Sequence, residues 1–309
     1  MTAFISAYRH LLQSGELIKR VVEANQHLTI CDVCAWGCPV DRTSGQFGVC
    51  RTGMRARISS YGAHHGEESP VRGWRGSGTI FFNRCNLRCQ YCQNHAISQT
   101  DSGDELEPGE IAEIMLSLQA AGCHNINFVS PSHVVPQILA AVSIAAQAGL
   151  HIPLVYNTGG YDSLAMLDLL DGVIDIYMPD MKYSEARLAR RYSKVRNYPQ
   201  INQAAVREMH RQVGDLVIND QGLAVRGLLI RHLVLPNDLA GTSEIVRFLA
   251  EEISKDTYLN LMDQYRPDYN AHQFQELDRR LTRDEYIQAV KLAHSVGLNR
   301  LDQSPSHLW

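Results

Sequence analysis

From about residue 78 onward, short apolar runs alternate with segments whose apolar positions recur at helical spacing. A buried parallel strand is nearly continuous in apolar residues, because helices cover both faces of its sheet. Strands are therefore predicted at residues 79–83, 125–129, 153–157, 173–178, 227–235 and 258–262. The alternation predicts repeated βα units around one parallel sheet.

The segments between these runs predict the helices that complete the units. Helical spacing is found at residues 107–121, 136–148, 163–170, 198–213, 243–254 and 282–296. The last helix is preceded by a capping box, with Thr282 at the N-cap and Glu285 three residues later. Six units predict an α/β fold built as a partial (βα)6 barrel of the TIM type. The functional site of such a barrel lies at the carboxyl ends of the strands.

The region before the first predicted strand has a different pattern. Residues 1–25 predict one or two helices, residues 31–53 are rich in cysteine, and residues 62–78 form a glycine-spotted connector. We therefore predict two domains. Residues 1–76 hold the N-terminal helices and a four-cysteine metal segment, and residues 77–309 form the partial barrel.

Composition narrows the functional classes. The 309 residues are 45% hydrophobic and 20% charged, which is enough for one large core. The formal net charge of -4 argues against a nucleic-acid partner. No apolar run approaches the roughly 20 residues of a membrane-spanning helix, and the N-terminus is not typical of a secretory signal. We expect a cytoplasmic protein without membrane contact.

Cysteine usage supplies the candidate chemistry. The chain has eight cysteines. Cys123 stands alone and is interpreted as an ordinary buried thiol. In a reducing cytosol, clustered cysteines favour metal sites over disulfides. The other seven fall into two sets, Cys31, Cys34, Cys38 and Cys50, and Cys85, Cys89 and Cys92.

The second set follows directly on the first predicted strand, at its catalytic end. Thiolates suit both iron–sulfur clusters and zinc. A structural zinc requires a fourth ligand, and this spacing is not the paired pattern of zinc ribbons. Three thiolates on a four-iron cluster would instead leave one iron open to a ligand.

The spacing Cys85-x3-Cys89-x2-Cys92, with Tyr91 before the last cysteine, resembles the signature of the radical S-adenosylmethionine (SAM) superfamily. The resemblance implies an enzyme with a [4Fe-4S] cluster on these three cysteines and SAM bound at the open iron. Reductive cleavage of SAM then yields a 5′-deoxyadenosyl radical that abstracts hydrogen from a substrate. An electron donor such as flavodoxin or ferredoxin is also implied.

Over about residues 25–270, the chain is similar to the activating enzymes of glycyl-radical enzymes such as pyruvate formate-lyase, and closest to an uncharacterised branch related to them. Activating enzymes usually carry Gly-Gly-Glu-Pro after the second strand, whereas this chain has Val129-Ser-Pro-Ser-His133. The resemblance implies SAM-binding candidates at the strand ends, namely Tyr91, Ser130, Ser132, Asn157, Thr158, Asp180, Lys182, Arg231 and Gln264.

The first set of cysteines supplies four soft ligands, which can close the coordination sphere of a metal. Two alternatives remain open, a structural zinc and a second iron–sulfur cluster that relays electrons or stabilises the domain. The Cys38-Pro39 pair favours iron slightly, because ferredoxin-like runs end in this way. The arginines that follow are interpreted as a solvated face rather than a docking surface for the electron donor, namely Arg42, Arg51, Arg55 and Arg57.

Three functions are compatible with these features. The enzyme could abstract hydrogen from a backbone glycine of a partner protein, or use the same radical on a small molecule or a peptide. From another class, a non-catalytic iron–sulfur protein could serve as a redox relay or an interaction module. The open-iron motif and the polar residues at the strand ends favour an enzyme.

Overall fold

The computed structural model describes residues 4–302. Nine strands lie in this part of the chain, β1 (Ala56–His64), β2 (Ser77–Phe82), β3 (Asp104–Leu106), β4 (Ile126–Val129), β5 (Leu154–Thr158), β6 (Ile176–Pro179), β7 (Val217–Ile218), β8 (Ala224–Leu233) and β9 (Tyr258–Met262). The α-helices of the same residues are α1 (Tyr8–Ser14), α2 (Glu16–Gln26), α3 (Ser69–Arg72), α4 (His95–Ser98), α5 (Pro108–Ala120), α6 (Val135–Gln147), α7 (Leu164–Leu170), α8 (Ala186–Ser193), α9 (Tyr198–Val213), α10 (Thr242–Phe248) and α11 (Arg283–Ser295).

The predicted parallel sheet is confirmed. Among the described residues, β2, β4, β5, β6, β8 and β9 pair with one another in that order, and every pair is parallel. Each corresponds to a predicted run, with its ends shifted by at most three residues. The chain is therefore a mixed α/β protein with a partial (βα)6 barrel, and two helices and four cysteines precede it. No described helix is both long and apolar enough to traverse a lipid bilayer.

Some elements were not predicted. Strand β1 overlaps the start of the region interpreted as a connector, and it pairs antiparallel with β2 on one side and with β3 on the other. Its side chains are buried only near its start, so the sequence lacks the apolar run of a central strand. The helix predicted at residues 243–254 changes to a π-helical turn at Leu249–Ile253.

The strands bury their two faces differently, because successive side chains point to opposite sides. Outward-facing residues such as Ile80 and Phe128 join the large core beneath the helices. Inward-facing Val155 and Leu229 form a smaller apolar cluster with Val71 of α3. The short helix α3 therefore contributes an apolar side chain to the interior of the barrel.

Candidate functional site

The loop after β2 carries Cys85, Cys89 and Cys92, as predicted. Cys89 is buried, and the other two thiols are partly exposed. Each sulfur lies beside a hydrogen-bond donor. Cys89 Sγ is 3.0 Å from Ser193 Oγ, Cys92 Sγ is 3.1 Å from Ser98 Oγ, and Cys85 Sγ is 3.4 Å from the Leu87 amide nitrogen.

The three thiols share one electrostatic environment. Burial raises the pKa of the Cys85 thiol to about 12 and the pKa of the Cys89 thiol to about 11. The neighbouring Lys182 ammonium acts in the opposite direction on both. Without a metal, the Cys85 and Cys89 thiols are thus protonated at neutral pH, and binding of a metal would release their protons. A donor set of three adjacent soft ligands fits an iron–sulfur cluster with one open position.

Four of the predicted SAM contacts converge in one hydrogen-bonded cluster. Arg231 donates from Nε to Asp180 Oδ1 (2.9 Å) and from an Nη to Asn157 Oδ1 (2.7 Å). Lys182 Nζ donates to the other Asp180 oxygen at 2.6 Å. These residues come from strand β8, the end of strand β6 and strand β5, so the parallel sheet brings them together at its carboxyl edge. Asn157, Asp180, Lys182 and Arg231 are called the polar cluster below.

Electrostatics hold the polar cluster in its charged form. Burial opposes ionisation of Asp180, but Arg231 and Lys182 together keep the pKa of its carboxyl below the ordinary value. Burial likewise opposes the charge of Lys182, and Asp180 followed by Cys89 raises its pKa. Lys182 therefore interacts electrostatically with Asp180 inside the polar cluster and with Cys89 of the cysteine loop.

Two glutamates from the connector also reach the polar cluster, which the sequence did not predict. Glu67 Oε2 lies 3.9 Å from an Arg231 Nη. Glu68 accepts a hydrogen bond from Asn260 Nδ2 at 2.8 Å, and its second oxygen has no protein partner. Burial raises the pKa of Glu68, which Arg231 lowers only in part. The motif gave no signal for these residues because they precede β2 by ten and nine positions.

Ser132 and Thr158 lie in a second, buried network. Their hydroxyl oxygens are 2.8 Å apart, and Thr158 Oγ1 donates to Asp162 Oδ2 at 2.8 Å. Tyr156 donates to the other Asp162 oxygen at 2.9 Å. Burial raises the pKa of Asp162, and the hydroxyls that donate to it act in the opposite direction. Asp162 was not predicted, and it engages two hydroxyls that the sequence had assigned to SAM.

The remaining candidates are more scattered. Ser130 adopts a left-handed conformation (φ 60°), and its amide donates to the Asn157 carbonyl at 2.9 Å. Tyr91 is buried behind the cysteine loop, where its hydroxyl accepts from Tyr183 at 2.7 Å. Gln264 meets the loop through its carbonyl, which accepts from Gln93 at 3.0 Å. None of these contacts tests a role in SAM binding.

Gly160 packs closely against the backbone of Asp180, a member of the polar cluster. It has a φ of +75°, and a Cβ at this position would collide with Asn202 Nδ2 and the Asp180 carbonyl. We expect Gly160→Ala to lower the free energy of unfolding by about 2–5 kcal/mol, from left-handed strain and overpacking. Gly149 has a φ of +102° with nothing within 4 Å of a Cβ, so Gly149→Ala should cost only about 1–2 kcal/mol. Equal losses in urea unfolding would contradict the steric explanation.

The N-terminal cysteines also face one another. Burial raises the pKa of Cys34, and the nearby sulfurs of Cys50, Cys31 and Cys38 raise it further. Three of the four thiols are buried, and Cys38 is partly exposed. Within residues 4–302, no three His, Cys, Asp or Glu side chains converge closely enough to hold a metal ion.

Hydrogen bonds join the two cysteine segments. Trp36 Nε1 donates to the Asn86 carbonyl at 2.6 Å, and Arg88 donates to the Val49 carbonyl at 2.6 Å. The interpretation of the following arginines as a solvated face was wrong for Arg42, which is buried. Its guanidinium donates to the carbonyls of Gly53 and His133, because a charged group with five N–H donors can satisfy several enclosed carbonyls.

Comparison with known proteins identifies relatives of the chain. A family model described as the Radical SAM superfamily matches residues 79–232. A curated protein of Methanocaldococcus jannaschii, described as uncharacterized, is 32% identical over 277 residues. This alignment covers 87% of the present chain and 75% of the relative.

Solved structures show a similar architecture. A radical SAM methyltransferase from Sphaerobacter thermophilus aligns with a TM-score of 0.51 and 15% identity, over 74% of this chain and 67% of that one. The likeness shows a shared fold. A domain of the pyruvate-formate lyase-activating enzyme from Bacteroides vulgatus aligns over 52% of this chain and 86% of its own, at 13% identity. Its TM-score of 0.37 is too low to support an argument.

Proposed function

Because the chain belongs to the radical SAM superfamily, we propose that Cys85, Cys89 and Cys92 hold its [4Fe-4S] cluster and that the polar cluster contacts SAM. When bound, the cluster and SAM supply one-electron cleavage of a sulfonium C–S bond, and the 5′-deoxyadenosyl radical that results abstracts hydrogen. The chain is accordingly an enzyme. The proposed site assignment is carried by one observation, the hydrogen-bonded group of Lys182, Asp180 and Arg231 at the same carboxyl edge of the sheet from which the cysteine loop departs.

The polar cluster can act on SAM through groups that remain accessible to a ligand. Asp180 is ionised and can accept from a ligand ammonium or hydroxyl group. Arg231 holds this carboxylate in place through Nε, and its remaining Nη donors suit a ligand carboxylate. Lys182 supplies a positive charge next to the thiolates, which favours their deprotonated form. The side chains therefore orient SAM against the cysteine loop and balance its charge.

For the substrate, we propose first a backbone glycine of a partner protein, on the resemblance to activating enzymes. A specific observation supports a second candidate, a small polar molecule or a peptide. Glu68, with its unpartnered oxygen, lies in the interior of the barrel next to Asn260. A buried polar atom without a partner favours a ligand that can donate a hydrogen bond. Residues 129–133 also differ from the Gly-Gly-Glu-Pro segment of the activating enzymes. Both features support the second candidate.

The decisive experiment is anaerobic reconstitution with iron and sulfide, reduction with dithionite and quantification of 5′-deoxyadenosine from SAM. We expect the nucleoside to accumulate only with the reduced, iron-loaded protein. Addition of a candidate glycyl-radical partner should then produce a protein-centred radical detectable by electron paramagnetic resonance (EPR). An iron-loaded protein that forms no 5′-deoxyadenosine would instead support the non-catalytic iron–sulfur function.

Radical SAM enzymes need an electron donor, and we propose a flavodoxin or ferredoxin for this one.

The net negative charge of the chain provides no positive electrostatic field that would attract nucleic acid. We also propose a cytoplasmic location, because the free cysteines of both sets are stable in a reducing compartment.

We further propose that Cys31, Cys34, Cys38 and Cys50 hold a second metal centre. Their mutual electrostatic interactions and their burial support this proposal. So does Gly48, because a Cβ there would meet Cys38 Sγ at 2.8 Å. Four thiolates can bind either an iron–sulfur cluster or a zinc ion. Because no three such side chains among residues 4–302 converge closely enough for a single ion, zinc would require these thiolates to move together.

Metal analysis of a variant with Cys85, Cys89 and Cys92 replaced by alanine reports on the N-terminal site alone. We expect about four irons and four sulfides per chain for a cluster, or one zinc for a structural site. The matched variant replaces the four N-terminal cysteines and keeps the motif. A triple variant that retains neither iron nor zinc would contradict a second metal centre.

A further inference from the structure

The last turn of α8 is hydrogen-bonded to the cysteine loop on both sides of Cys89. The Ser193 carbonyl accepts from the Arg88 amide at 3.0 Å, and the Tyr192 carbonyl accepts from the Gln90 amide at 2.7 Å. These backbone bonds place the Ser193 hydroxyl 3.0 Å from Cys89 Sγ. Because the backbone holds this position, the contact does not depend on the protonation state of the thiol.

The direction of this hydrogen bond is fixed once Cys89 binds iron. A metal-bound thiolate carries no proton and can only accept, so the single hydroxyl proton of Ser193 must point to the sulfur. Tyr183 Oη lies 2.8 Å from Ser193 Oγ. With the serine proton committed to Cys89, Tyr183 becomes the donor in that contact. The Tyr183–Tyr91 hydrogen bond described above then reverses, and Tyr91 donates its own hydroxyl proton to Tyr183 across the same 2.7 Å. Ser193 is fully buried and Tyr183 nearly so, so water does not compete.

We propose that Ser193, oriented by Tyr183, is a positioning residue that raises the reduction potential of the cluster on Cys89. Reduction adds negative charge to the cluster and its thiolates. A donor aimed at a ligating sulfur stabilises this added charge, and hydrogen bonds to sulfur are among the factors that set cluster potentials. The inference rests on the proposed function. It assigns control of the reduction of the motif cluster to a residue about a hundred positions from the motif.

The test is a redox titration of the reconstituted full-length protein without SAM, followed by EPR. We expect Ser193→Ala to shift the midpoint potential of the motif cluster to more negative values at unchanged iron and sulfide content. Tyr183→Phe should shift it in the same direction by less, because the serine donor remains. Ser193→Thr retains a hydroxyl and should preserve the wild-type potential.

A matched control is Ser117→Ala, which removes a serine whose hydroxyl donates to the Ile114 carbonyl in helix α5. Its potential should equal that of the wild type. If the N-terminal set holds a second cluster, the potential of that cluster should not change in any variant and serves as an internal reference.

The outcomes separate the inference from the function it rests on. A Ser193→Ala protein that keeps its cluster at an unchanged potential overturns the inference alone. Loss of iron in Ser193→Ala, with an unchanged potential in Tyr183→Phe, also overturns it, because Ser193 would then only hold the loop. A wild-type protein that loads no redox-active cluster on the motif would overturn both.

Discussion

Replacing Cys89 with alanine is expected to reduce 5′-deoxyadenosine formation to the level of a protein-free control. Cys89 is the buried member of the motif, and two thiolates cannot hold three irons of a cluster that leaves only the fourth open. The loss should therefore be complete rather than graded. The measurement is chromatography of the nucleoside after anaerobic incubation with SAM and dithionite, beside iron and sulfide analysis.

Cys123→Ala provides the matched control for this loss. Cys123 is also a buried free thiol, but it belongs to neither cysteine set and packs near Gly78 at the start of β2, whereas the motif follows the other end of this strand. We expect this variant to retain its iron and its SAM cleavage. Cleavage of SAM by Cys89→Ala, at a rate comparable with that of Cys123→Ala, would show that the motif does not hold the reactive cluster.

Replacing Arg231 with alanine is expected to destabilise the fold as well as the site. The guanidinium joins Asp180, Asn157 and Glu67 and also interacts electrostatically with Glu68. Its removal leaves these three carboxyl groups with Lys182 as the remaining cation of the polar cluster. Breaking a buried ion pair costs roughly 3–5 kcal/mol, and the partial exposure of Arg231 places the expected loss near the lower figure. Urea unfolding monitored by circular dichroism measures it.

Two variants and the pH dependence test this explanation. Adding Glu67→Gln to the alanine variant should recover part of the lost stability, because one uncompensated carboxylate is removed. Arg231→Lys keeps the charge but not the planar fork of the guanidinium. Its free energy of unfolding should fall between those of the wild type and Arg231→Ala.

The lowered pKa of Asp180 makes its contribution to stability present above its ordinary value of 3.8 and lost as the pH falls through its folded value. The difference between wild type and Arg231→Ala should therefore narrow as the pH falls below 3.8. A difference that does not change with pH would point to lost packing rather than lost charge.

The parallel sheet could be predicted because most residues of its strands are apolar and buried, especially in β2, β4, β5 and β6. Strand β1 could not, because it lies near the end of the sheet, between β2 and the three-residue β3, and has only two buried side chains. Its pairing with β2 depends on the whole sheet rather than on its own sequence. Helix α8 was missed for a related reason. It is short and rich in arginine, so its apolar face consists of only a few residues.

The candidate site likewise combines residues that could be predicted from the sequence with residues that could not. Asp180 and Arg231 could be assigned because the carboxyl ends of parallel strands converge, and the structure joins them directly. Glu67, Asp162 and Ser193 lie on a connector, a loop and a helix end, where sequence spacing carries no information about distance. The expectation that Ser132 and Thr158 contact SAM remains a prediction. To contact SAM, these hydroxyls would have to give up hydrogen bonds that they make within the Asp162 network.

The hydrogen bonds of Trp36 and Arg88 have a consequence for how the protein is assembled in the cell. They attach the N-terminal cysteine segment to the loop that carries the motif. If both sets hold the metal centres proposed above, insertion of one cofactor should help to order the backbone that presents the other set. Oxidative damage that empties one set should then slow repair of the other, and the two proposed sites would share their maturation and their vulnerability to oxygen.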